Sequence, residues 1–94
     1  MDPLIETHRD AILAIAAQRG VKNVRVFGSM SRNQATENSD VDLLVELEAG
    51  RTGFALGGFL MDVSSLLNRK VDVVTEKALH RAFREQVLNE AVLL

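Results

Sequence analysis

The chain has 94 residues, 47% of them hydrophobic, enough for one modest core over residues 1–94 and too few for two. Its net charge of -2, from 11 basic and 13 acidic residues, leaves no basic stripe for long nucleic acid, and the absence of Tyr and Trp removes a base-stacking platform. Cysteine is absent, excluding disulfides and thiolate metal sites, and with neither a membrane-length apolar run nor a signal-peptide pattern the expected location is the cytoplasm.

Asp2-Pro3 reads as an N-cap followed by proline at the first helical position. Leu4, Ile5, His8, Ile12, Ile15 and Ala16 then recur at helical spacing up to the C-cap signal Gly20. His8 on that stripe reads as a histidine at the edge of the core rather than a ligand. Val21 to Phe27 has strand composition and stops at Gly28. Ser29 to Asn38 is polar and fits a loop holding a single helical turn.

A second strand runs from near Asp40 to about Leu47, and Ala49-Gly50-Arg51-Thr52-Gly53 forms a turn. Leu56, Phe59, Leu60, Val63, Leu66 and Leu67 mark a second helix. The pair Gly57-Gly58 weakens its interior, so either another backbone approaches there or the helix starts late, at Gly58. Lys70 to Thr75 is a third strand. A last helix, roughly Leu79 to Val92, turns Leu79, Phe83, Val87 and Ala91 inward. The expectation is an α+β domain with element order α-β-β-α-β-α, a mixed three-stranded sheet and helices packed on one face.

The chemistry centres on Gly28-Ser29 and on Ser39-Asp40-Val41-Asp42-Leu43-Leu44-Val45. Side chains alternate along a strand, so Asp40 and Asp42 share one face while Val41, Leu43 and Val45 take the other. Asp72 opposes Val71 and Val73, and joins the first two aspartates if its strand is their neighbour. Three carboxylates on an open face form a hard-oxygen set suited to Mg²⁺, and can converge on two ions about 3.5–4 Å apart for in-line displacement at phosphorus. Glycine at the strand end lets a phosphate approach the backbone, Ser29 adds a hydroxyl, and Arg32 is the nearest cation for a forked contact to phosphate oxygens. Singly, each signal is commonplace: most Gly-Ser pairs are only turns, and most Asp-x-Asp pairs are exposed strand edges. Their order along the chain is what singles them out.

Gly28-Ser29, Ser39 to Val45 and Val71-Asp72-Val73-Val74 together resemble the nucleotidyltransferase superfamily of DNA polymerase β. Within it, the whole chain resembles the minimal nucleotidyltransferases, antitoxins partnered with HEPN-domain ribonuclease toxins. The resemblance implies nucleotide contacts at Gly28, Ser29, Arg32 and Ser39. It implies Mg²⁺ ligands and catalytic carboxylates at Asp40, Asp42 and Asp72, with Asp72 helping to deprotonate the acceptor hydroxyl. It implies transfer of AMP from ATP to a tyrosine of the toxin, within a hetero-oligomer. An Asn33 stands where the family commonly has glycine after the arginine, and asparagine tolerates left-handed backbone. With no tyrosine of its own and no room for an acceptor-binding domain, the chain is expected to meet its acceptor on a partner. The rival expectation is an antitoxin that works by occlusion, without catalysis.

Overall fold

The computed structural model describes residues 1–94. Helix α1 spans Pro3–Arg19; the Asp2 carboxylate accepts from the Leu4 N–H at 2.9 Å, and Gly20 ends the helix with φ +72°. Ile5, Ile12 and Ala16 are its buried residues. His8 is half-buried and its Nδ1 lies 2.8 Å from the Leu4 carbonyl within its own helix, a histidine at the core edge. Strand β1 is Val21–Phe27, and a single 3₁₀ turn follows at Gly28–Met30. Strand β2 is Val41–Leu47.

Helix α2 runs Gly53–Leu67, so it begins before the glycine pair and not at Gly58. Thr52 caps it by accepting from the Phe54 N–H at 3.3 Å. What approaches Gly58 is a side chain and not a backbone. A Cβ there would meet the Arg19 guanidinium, which reaches past it to Asp62 at 2.8 Å. Gly57 faces open space.

Strand β3 is Val71–Thr75, helix α3 is Arg81–Glu90, and a two-residue strand β4, Val92–Leu93, closes the described chain. The last helix is therefore shorter than its hydrophobic pattern suggests. The sheet has four strands rather than three, in the order β3-β2-β1-β4. β1 pairs antiparallel with β2 and with β4, while β2 and β3 are parallel, joined through α2. The α+β class and the mixed sheet match the expectation; β4 is the addition.

Residues of α1 and α2 and the inner side chains Val24, Val26, Val41, Leu43, Val45 and Val71 form one continuous core. Helix α3 behaves differently. Only Val87 is buried, Phe83 is 60% exposed instead of turned inward, and a cleft of about 360 Å³ lies between α3 and Phe27, Gly28 and Arg32. Phe27 is opposite Asp42 in the β1–β2 ladder and so shares its face. α3 thus borders the carboxylate side of the sheet, the face expected to be bare. Leu44, on that same side, is buried outside the main core.

Gly57 gives a clean test of this packing. Nothing would meet an added Cβ, so Gly57→Ala removes the helix-interior cost of glycine and should stabilise the fold by about 0.5–1 kcal/mol. Thermal unfolding should show Tm rising by a few degrees.

Candidate active site

Two ladders bring the sequence-distant residues to one edge of the sheet. Because β1 and β2 are antiparallel, the C-terminal end of β1 lies beside the N-terminal end of β2, with Phe27 opposite Asp42. Because β3 is parallel to β2, with Asp42 opposite Asp72, the third carboxylate arrives at the same end and on the same face. Neighbouring strands lie about 4.8 Å apart, so these two side chains stand next to each other. Asp40 immediately precedes β2.

The electrostatics follow from that crowding. The Asp42 carboxyl is held above its ordinary range, first by partial burial, then by the negative charges of Asp72, Asp40 and Glu90; only Arg32 acts the other way. Asp40 leans toward Lys70, with 3.6 Å between charged atoms. No trio of acidic or histidine side chains is closed into a ready cation cage. The donor chemistry of the three aspartates, all carboxylate oxygen with one member short of neutralising partners, fits a hard divalent cation.

The Gly28 turn is built to sit against Asp42. Gly28 has φ +71°, and a Cβ there would collide with the Asp42 carboxylate. Its carbonyl accepts from the Ser31 N–H at 3.1 Å and the Ser31 hydroxyl at 2.8 Å, while buried Met30 pins the turn into the core. Ser29 is half-buried beside it, its carbonyl accepting from the Gln34 N–H at 3.0 Å. Asn33 adopts φ +57°, the left-handed conformation that glycine would otherwise supply.

Two expected contacts are engaged elsewhere. The Ser39 hydroxyl accepts from the Thr36 N–H at 2.8 Å, so it shapes the loop before β2. Arg32 donates from Nε to Gln34 at 3.0 Å and from one terminal nitrogen to both Glu90 oxygens at 2.9 and 3.1 Å. Glu90 also accepts from the Gly28 N–H at 2.6 Å. Sequence reasoning missed Glu90, although it lies three residues past Val87 on the one face of α3 that is buried. It also missed Arg69, which donates to the Thr36 and Ser39 carbonyls at 3.2 and 3.1 Å and ties down the loop leading to Asp40.

With that geometry in place, comparison with known proteins is decisive. A family profile described as Nucleotidyltransferase domain matches residues 8–94. The chain belongs to the nucleotidyltransferase family. A Methanocaldococcus jannaschii protein carrying the name "putative protein adenylyltransferase MJ0435" is 37% identical over 81 residues, covering 86% of this chain and 87% of that protein. Protein adenylyltransferase MntA of Thermococcus cleftensis is 36% identical over 73 residues, 78% of this chain and 74% of its own length. A solved structure described as a "putative minimal nucleotidyltransferase" superposes with TM-score 0.86 at 44% identity, over 100% of this chain and 97% of the other. A toxin–antitoxin structure with AMP-PNP shares the fold at TM-score 0.74 and 21% identity, over 89% of this chain and 69% of that one. The chain shares the fold of the first of these two structures over its whole length.

Two substitutions probe the site's construction. Gly28→Ala must strain a left-handed backbone and displace Asp42, which should cost about 1–3 kcal/mol in denaturant unfolding. Asp42→Asn should do the reverse. The folded state binds the Asp42 proton more tightly than the unfolded chain does, so the ionised carboxylate costs stability, and that cost is absent below the ordinary carboxylate range and present above the raised value. In chelator, Asp42→Asn should therefore raise Tm at neutral pH, with the gain shrinking as pH falls toward the ordinary carboxylate range.

Proposed function

We propose that this chain is an antitoxin that transfers AMP from ATP to a hydroxyl, a tyrosine in the first instance, of a cognate HEPN ribonuclease toxin. The observation that carries the reading is the placement of Asp42 beside Asp72 at the strand end where Gly28 turns. The relatives named protein adenylyltransferase support the reaction class, and the toxin–antitoxin neighbour supports a fold used in such complexes.

In this reading Asp40, Asp42 and Asp72 hold Mg²⁺, two ions in the family's manner, which neutralises triphosphate charge and adds Lewis acidity. The Gly28 N–H, the Ser29 hydroxyl and the Arg32 guanidinium bind phosphate oxygens. Asp72, exposed on its strand, takes the proton of the acceptor hydroxyl. The acceptor oxygen bonds to the α-phosphorus, the α–β bridging P–O bond breaks, and pyrophosphate leaves. A tyrosine acceptor must come from a partner, because the chain has no tyrosine.

A second reading, occlusion without catalysis, is favoured by one observation: Arg32 is already paired with Glu90, 2.9 Å away. Incubation of the purified chain with ATP, Mg²⁺ and the adjacently encoded toxin, followed by intact mass, separates the two. Added AMP on the toxin is expected with wild type, and Asp42→Asn or Asp72→Asn should slow it about a hundredfold or more while leaving the fold intact. Neutralisation that persists unchanged in an Asp40→Asn/Asp42→Asn double variant would establish occlusion instead.

A further inference from the structure

Glu90 is the last residue of α3, and the β1–β4 ladder dictates where it falls. Val26 pairs with Val92 and Arg25 with Leu93, and that register, continued past the end of the ladder, would set Ala91 level with Phe27 and Glu90 level with Gly28. The short ladder therefore holds the end of α3 close to the Gly28 turn, and the Glu90 side chain makes the contact. Its side chain is only 17% exposed. It accepts from the Gly28 N–H at 2.6 Å and from Arg32 at 2.9 and 3.1 Å. Those are two of the three donors that the proposed function assigns to the triphosphate, and a carboxylate offers them the same acceptor chemistry as a phosphate oxygen.

We propose that Glu90 is a built-in latch, its carboxylate occupying the Gly28–Arg32 anion site so that a nucleoside triphosphate must displace it to bind. The inference rests on the nucleotide reading above. Glu90 also adds its charge to the surroundings of Asp42, so Gly28 and Arg32 retain the latch against repulsion from the aspartates. A triphosphate offers the same donors more charge and more oxygens, and so competes for them. Displacement frees the end of α3, which links occupancy of the site to the helix that walls the neighbouring cleft.

The test is calorimetric titration of the full chain with AMP-PNP in excess Mg²⁺. Glu90→Gln and Glu90→Ala should each bind roughly tenfold tighter than wild type, the effect of a site otherwise open about a tenth of the time. Equal or weaker binding by both variants, with wild type binding measurably, overturns the latch and leaves nucleotide binding standing; it would make Glu90 a residue that positions Arg32. Failure of all three proteins to bind overturns both readings. Hydrogen exchange on wild type gives a check that needs no variant. The saturating analogue should slow exchange at residues 28–29 and speed it at residues 88–91, and slowing at both overturns the latch.

Discussion

Two like charges held side by side are the constraint on which this molecule turns. The parallel register of β2 and β3 sets Asp42 against Asp72, and the antiparallel register of β1 and β2 folds the Gly28 turn onto the same spot. No arrangement chosen for stability alone would place a half-buried carboxylate among three other acidic groups with a single arginine in opposition. The inner face of the same strands accounts for why the fold tolerates it. Val41, Leu43, Val45 and Val71 are buried against α1 and α2, so the apolar side holds the strands in register while the polar side stays under electrostatic stress. Stability and the candidate chemistry are divided between the two faces of one strand by its alternation.

The C-terminal segment refines that picture. α3 contributes one buried side chain, and it is β4 and Glu90 that secure it to β1. An element fastened by two ladder pairs, the Glu90 contacts, the Arg84–Glu76 ion pair and one buried side chain is easier to release than one buried in the core. Its position beside the Gly28 turn sets a sparsely buried part of the fold next to the candidate chemistry.

Much was legible before any coordinates, for reasons that can be named. Asp2-Pro3 and Gly20 bracket α1 by local backbone chemistry, and the strands announced themselves by composition and by the glycine that stops β1. The same local logic misjudged three places. Gly57-Gly58 suggested a late helix start, but Thr52 caps α2 upstream and Arg19 uses the room at Gly58. Phe83 fits an inward helical stripe, yet α3 meets too little of the sheet to bury it. Two residues of β4 are too few for any periodicity to register.

By itself the sequence determined which face each strand residue takes and where the first helix begins and ends, because alternation and capping are properties of a few consecutive residues. It also carried the resemblance to the family, on Gly28-Ser29, Asp40-x-Asp42 and Asp72 in that order, and the profile match over residues 8–94 agrees. Only the tertiary structure decided that Asp72 stands next to Asp42, that Ser39 serves its own loop, and that Glu90 reaches Gly28 from 62 positions away. Those are facts of strand order and register, set by how the whole core packs, and no short stretch of chain contains them.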